Sequence, residues 1–239
     1  MRIYVTSLSR PHNVARMESL AGGAELVWCI PEEQVWDYTR AGARHFVTGP
    51  PGKPEKINAV LDQYGDDWCV FTDDDCRGMK MLTELGSRGP ISLGTAAAEF
   101  IIIGRMRRDS YVGIACLTNP RFMSYSISSW GQTTGWFYAQ APNTPERHDP
   151  SFGVAHDIEF AARMCDRYGR IARPNYIQGD YLMGDQASHF REEHKRKAVG
   201  FARLVRLYPH LFASYTDDNI KYRRLPAPRH RAGSTGRAS

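Results

Sequence analysis

Long hydrophobic runs are missing from this chain. The longest apolar block, Ala96 to Gly104, is interrupted by Glu99 and followed by Arg105, Arg107 and Arg108. A membrane-spanning helix needs about 20 predominantly apolar residues, so neither a transmembrane span nor a membrane partner is expected. Met1-Arg2-Ile3-Tyr4-Val5 reads as a first strand and not as a signal peptide. Cysteines are few and odd in number, five, without a Cys-x-x-Cys pair, which argues against a disulfide framework and against a zinc knuckle. Cys29, Cys69 and Cys116 sit in apolar, strand-like runs and suit buried thiols; a reducing cytoplasm is the expected compartment. There is no internal repeat, and no obligate protein partner is evident.

Material for a core is plentiful. Of 239 residues, 42% are hydrophobic and 11% aromatic, enough for one large domain or one domain with a tail. The net charge is +5 with a pI near 9.0, and the positive residues gather late. Lys195, Arg196 and Lys197 are followed by Arg203, Arg206, Lys221, Arg223, Arg224, Arg229, Arg231 and Arg237. Such a stretch suits a polyanionic partner such as nucleic acid; it equally suits a solvated helix face and a basic tail.

The first half alternates strand and helix signals. Strands are expected at Ile3–Thr6, Leu26–Ile30, His45–Val47 and Trp68–Phe71. Helices are expected at Asn13–Leu20, from Pro31 to Gly42, and at Pro54–Tyr64, where Ile57, Val60 and Leu61 share a face. This order predicts an α/β fold with a mostly parallel, Rossmann-like sheet. A helix over Thr95–Arg107 and a strand over Tyr111–Leu117 come next. Ser124–Gln140 reads as antiparallel strands or a hairpin, the start of a smaller mixed region. His156–Tyr168 and Arg191–Tyr208 read as helices. Residues 1–225 are expected to form a single domain, with a nucleotide-binding half at 1–118 and an acceptor-side half at 119–225. Residues 226–239 read as a basic, flexible tail.

The most informative stretch is Trp68-Cys69-Val70-Phe71-Thr72-Asp73-Asp74-Asp75. An apolar strand ends in three carboxylates, which repel one another unless something positive sits among them. A divalent metal carrying a diphosphate suits that place, since magnesium and manganese take one or two carboxylates plus phosphates. A solvated acidic turn capping the next helix is the plainer alternative. In open α/β sheets ligands bind beyond the carboxyl ends of the strands. Ser7 and Arg10 after the first strand, and Lys53, Lys56 and Asn58 after the third, fall on that same edge. Lysine would supply a point charge and Asn a base or ribose hydrogen bond; ordinary residues of a loop and a helix start are the alternative. Trp130, Trp136, Phe137 and Tyr138 crowd the mixed region and read most simply as core; Trp130, beside Gly131, is the best candidate among them for exposure, where it could stack on a sugar or base.

Three segments together resemble a known family. Lys53-Pro-Glu-Lys56-Ile-Asn58-Ala, Val70-Phe71-Thr72-Asp73-Asp74-Asp75 and His156-Asp157-Ile158-Glu159-Phe160 look like the phage-type DNA-base glycosyltransferases. These are GT-A enzymes related to the one that makes glucosylated hydroxymethyluracil in kinetoplastids, and they are often associated with TET-like base hydroxylases. The resemblance implies a GT-A fold, a UDP-sugar donor and Mn2+ or Mg2+. It implies as acceptor the hydroxymethyl group of 5-hydroxymethylcytosine or 5-hydroxymethyluracil in phage DNA, and hence a host cytoplasm. On the family pattern Asp75 touches the metal and Asp73 lies near the ribose or acts through water. Asp157 is the base toward the acceptor hydroxyl, and inversion at the anomeric carbon follows. His189 is the implied third metal ligand and Arg191 a phosphate contact. The chain departs from the usual Glu-Asp-x-Asp-Phe at His156 and at Glu159. Glu159 reads more simply as a partner for Arg163 one turn on.

Overall fold

In β1 (Arg2–Thr6) Ile3 and Val5 turn to one face of a sheet and Tyr4 to the other, and all three are buried. Both faces of this strand are therefore covered, as a central parallel strand requires. The computed structural model that carries this strand describes residues 1–115, 120–131, 133–181, 190–216 and 219–223. After β1 come α1 (Val14–Leu20), β2 (Glu25–Ile30), α2 (Val35–Arg40), β3 (His45–Thr48), α3 (Lys53–Tyr64) and β4 (Cys69–Asp73). β5 (Cys76–Leu82) and β6 (Arg88–Ile91) lead to α4 (Leu93–Arg107) and β7 (Tyr111–Ala115). β8 (Ile127–Ser128), β9 (Thr133–Gln140), α5 (His156–Tyr168), β10 (Arg173–Pro174) and β11 (Ile177–Tyr181) follow. The last described elements are α6 (Phe190–Leu207), β12 (Phe212–Tyr215) and β13 (Ile220–Tyr222).

The main sheet has six strands in the order β3-β2-β1-β4-β9-β7. β3, β2, β1 and β4 run parallel, and β9 enters antiparallel between β4 and β7. This is the expected α/β architecture, a Rossmann-like, mostly parallel sheet of GT-A type. Helices α1, α2 and α4 cover the face that carries Ile3, Val5, Val70 and Phe137. Helices α3, α5 and α6 cover the face that carries Tyr4, Phe71, Tyr111 and Tyr138. Among the described residues no helix is long and apolar enough to cross a membrane. Cys29, Cys69, Cys76 and Cys165 are free and buried.

The structure decides or adjusts three expectations. Of the two readings of Ser124–Gln140, antiparallel strands hold and the hairpin does not: β8 pairs antiparallel with β10, and β9 antiparallel with β4 and β7 in the main sheet. Backbone pairing partners distant in sequence overrode the local pattern. The strand expected at Trp68–Phe71 runs on to Asp73 because β1 stays in register with it as far as Thr6↔Asp73. Trp130 is buried, packed against Phe212 and Tyr222 with centroids 5.7 and 5.3 Å away. The β12–β13 hairpin that covers it left no clear hydrophobic alternation in the sequence.

Gly104 on α4 lies against the Trp68 ring, and a Cβ there would overlap the indole. Gly104→Ala would gain about 1 kcal/mol of helix propensity, but overpacking of this kind costs about 1–3 kcal/mol. A net loss of stability in urea denaturation is the expected result; a net gain would mean that the Trp68 contact is loose.

Candidate active site

The acidic triplet sits where β4 leaves the sheet, and each carboxylate has a different environment. Asp73 is answered by Lys53, whose Nζ lies 2.6 Å from Oδ1 and 2.8 Å from Oδ2. Thr6 on the adjacent strand also donates to Asp73, at 2.8 Å. Asp74 turns inward and is fully buried. It accepts from the Ser7 hydroxyl and pairs with Arg10 at 2.5 Å. Burial pushes its carboxyl up to about 6, against the pull of Arg10. Asp75 is left over. Its Oδ1 is buried with no hydrogen-bond partner, and its nearest cation, Arg10, stands 4.0 Å from Oδ2. Burial, then the Asp73 and Asp74 charges, push it to about 6 as well.

The three loops expected to converge on this edge do so. Lys53 opens α3 and reaches Asp73, while Arg10 follows β1 and reaches Asp74. Ser7 and Lys56 lie beneath the surface. Lys56 is buried and donates to the Ser7 carbonyl at 2.5 Å, and burial lowers its pKa. Ser7 is also bonded to Tyr38, at 2.5 Å, and the Tyr38 hydroxyl accepts from the Arg10 backbone at 2.9 Å. These residues hold the loop that carries Arg10. Asn58 is engaged at both ends of its amide by the His148 backbone, at 2.9 and 2.8 Å. It fastens the loop before α5, keeping one N–H of Nδ2 and one lone pair of Oδ1 beyond these two contacts. Arg223 directs its Nε to the carbonyls of Pro209 and Phe212. His189 and Arg224 lie outside the described residues, as do the side chains of Arg191, Lys195 and Arg196.

Asp157, in the first turn of α5, is linked to the triplet through the backbone of one residue, Gly135. Its Oδ2 accepts from the Gly135 N–H at 2.8 Å, and Lys53 donates to the Gly135 carbonyl at 3.2 Å. Asp157 Oδ1 accepts from the Ile158 N–H at 2.8 Å. Each oxygen keeps a second lone pair for another donor. Glu159 is occupied as expected: it is buried, paired to Arg163 at 2.8 Å, and accepts from the Tyr208 hydroxyl at 3.1 Å.

Gly135 gave no signal in the sequence beyond being a glycine within an aromatic run. The structure shows why a side chain is unwelcome: a Cβ would lie 2.8 Å from Asp157 Cβ. Gly135→Ala should displace the Asp157 carboxylate and lower turnover by about tenfold to a hundredfold, the scale of a misplacement near 1 Å. Far-UV circular dichroism should not change. Wild-type turnover in this variant would remove Asp157 from the reacting geometry.

The residues fit a hard divalent cation. Asp75 is a part-buried carboxylate whose buried Oδ1 has no hydrogen-bond partner, and Asp73 and Asp74 carry their own cations, Lys53 and Arg10. Among the described residues no cluster of three His, Cys, Asp or Glu forms a closed cage. An ion held chiefly by one carboxylate and by substrate phosphates accords with that.

No family model and no curated protein matches the sequence. Solved structures do. Glucosyl-3-phosphoglycerate synthase from Mycobacterium tuberculosis, in complex with Mn2+, UDP-glucose and phosphoglyceric acid, superposes with a TM-score of 0.52 at 13% identity, covering 86% of this chain and 78% of that one. Its complex with Mn2+, UDP and glucosyl-3-phosphoglycerate gives a TM-score of 0.50 at 14% identity, with the same coverage. At such identity the likeness establishes the fold.

Proposed function

We propose that this chain is a metal-dependent glycosyltransferase. It moves a sugar from a UDP-sugar to the hydroxymethyl group of 5-hydroxymethylcytosine or 5-hydroxymethyluracil in DNA. The observation that carries the reading is an acidic triplet with one unpartnered oxygen, Asp75 Oδ1, whose neighbour Asp73 is linked through Lys53 and the Gly135 backbone to a second carboxylate, Asp157. The synthase of similar fold was solved in complex with Mn2+ and UDP-glucose, which agrees with the donor. The DNA acceptor is supported by the sequence resemblance and by the basic C-terminal third.

Asp75 would hold Mn2+ or Mg2+, and the ion when bound neutralises charge on the leaving diphosphate as a Lewis acid. Lys53 and Arg10 flank the same place and answer the remaining negative charge. Asp157 takes the proton of the acceptor hydroxyl as its oxygen bonds to the anomeric carbon. The bond from that carbon to the diphosphate breaks, UDP departs, and direct displacement inverts the anomeric centre.

The test is to incubate the protein with Mn2+, a panel of UDP-sugars and duplexes carrying either hydroxymethylpyrimidine. UDP release and the nucleoside masses are then measured. A hexose added to the modified base is expected. UDP release that depends on a protein or glycan acceptor, with DNA untouched, would overturn the acceptor assignment. No transfer to any acceptor would overturn the enzyme assignment.

A further inference from the structure

A buried polar chain beside Asp157 has no part in the scheme above. It runs from Tyr138 through His148 to His156. The Tyr138 hydroxyl lies 3.0 Å from His148 Nε2, and His148 Nδ1 lies 3.0 Å from His156 Nδ1. The three residues are 1%, 3% and 6% exposed. His148 is held in its plane by stacking on Phe160, with centroids 3.9 Å and planes 11° apart. Its backbone is fixed by Asn58.

Counting protons orders the chain. Burial lowers the pKa of His148 far below the ordinary histidine value and that of His156 to about 4, so both rings are uncharged at neutral pH. Burial likewise keeps Tyr138 a phenol. A neutral imidazole carries one N–H, so the contact between the two Nδ1 atoms contains a single proton. Suppose His156 supplied it. His148 would then carry its proton on Nε2 and donate to the Tyr138 oxygen, and the phenol O–H would need another acceptor. Tyr138 has none among the described residues, and a buried donor without a partner bears its full desolvation penalty. The opposite order satisfies every group of the chain except its last nitrogen, which is not among the buried atoms left without a partner. Tyr138 donates to His148 Nε2, His148 donates from Nδ1 to His156 Nδ1, and the remaining proton sits on His156 Nε2. That nitrogen has no hydrogen-bond partner among the described residues. The charges acting on His156 are those of Asp157, Lys53, Asp73 and Glu55, the first three of them members of the candidate site.

We propose that Tyr138 and His148 are positioning residues that fix His156 in its Nε2–H tautomer, so that His156 offers the site an uncharged donor for an oxygen of a bound substrate. Such a donor suits a place next to a base. An imidazolium there would pair with Asp157 and weaken it as a base. A neutral N–H holds an oxygen without competing for the acceptor's proton. His156 cannot itself serve as the base, because its one lone pair faces His148. The tautomer is set from behind, by the bond the other nitrogen makes.

Nitrogen-15 spectra of the full chain, with the His156 signals assigned by His156→Gln, test the order directly. His156 is expected to be protonated at Nε2 and bare at Nδ1, without gaining charge between pH 8 and pH 5. Tyr138→Phe should bring a second tautomer into the spectrum while circular dichroism stays unchanged. A wild-type His156 protonated at Nδ1, or a Tyr138→Phe spectrum identical to wild type, overturns the proposal.

The substrate contact is read from KM, with UDP-glucose as donor and a hydroxymethylcytosine duplex as acceptor. His156→Gln keeps an N–H near the position of Nε2 and should stay within about threefold of wild type, whereas His156→Ala should raise one KM by about tenfold. A rise for the donor assigns the contact to a sugar oxygen, and a rise for the acceptor to its hydroxyl. Two unchanged KM values overturn the contact. This arm rests on the reaction proposed above. If that reading fails, the wild-type protein transfers nothing, and the spectra still decide the order of the chain.

Discussion

Asp75→Asn is expected to abolish manganese-dependent transfer, with a loss of about three orders of magnitude or more. Several kcal/mol of charge stabilisation on the leaving group correspond to a factor of that size. The same substitution should not weaken the metal-free protein, and this separates a ligand from a structural residue. Asp75 has a buried oxygen without a partner, and its pKa stands at about 6 against an ordinary 3.8. Because the folded value is the higher one, the folded protein binds more protons than the unfolded chain between roughly pH 4 and pH 6. Stability therefore falls as pH rises through that window, and the cost persists above it. Removing the charge should relieve that cost, on the order of 1–2 kcal/mol at pH 7.5 after allowance for solvent screening. The gain should shrink below pH 5. UDP release with and without chelator, beside urea denaturation at both pH values, checks the pair of outcomes. Full activity in the variant, or full activity of the wild type in excess chelator, would falsify the metal assignment.

Asp157→Asn should lower turnover by about two to four orders of magnitude, the usual contribution of a positioned general base. The fold should tolerate the change, since an Asn oxygen can still accept from the Gly135 N–H that Asp157 now engages at 2.8 Å. Donor affinity, measured by calorimetry with UDP-glucose and Mn2+, should persist because the carboxylate serves the acceptor side. Loss of donor affinity with turnover intact at saturating donor would assign the base elsewhere. Glu159 is not an available substitute, being buried and held by Arg163 and Tyr208.

The parallel half of the fold was legible because its signals are local. Ile3, Val5, Leu26 to Ile30 and Val70 to Phe71 form short apolar runs separated by amphipathic helices, and one repeated unit explains them all. The convergence of Arg10, Lys53 and the acidic triplet then followed from strand polarity. What stayed hidden depends on pairing over long distances. β5, paired with β6 and β11, carries Arg77 and Lys80 on its exposed positions and lacks the hydrophobic run that marks a central strand. β9 reads like any aromatic strand, and its place between β4 and β7 is set by partners about 70 and about 25 residues earlier in the chain. The roles within the triplet were hidden for another reason. Three identical side chains differ only in what surrounds them: Lys53 at Asp73, Ser7 and Arg10 at Asp74, and no hydrogen-bond partner for Asp75 Oδ1.

The Gly135 backbone has a consequence for how such a site can change over time. Its carbonyl faces the lysine that holds Asp73 and its N–H faces Asp157, so two successive amide planes, joined at the Gly135 Cα within strand β9, link the two carboxylates. The spacing is set by strand β9 together with the starts of α3 and α5, which carry Lys53 and Asp157. Loops and terminal elements around the rim can therefore lengthen, shorten or change charge while the spacing between Asp73 and Asp157 stays as these elements set it.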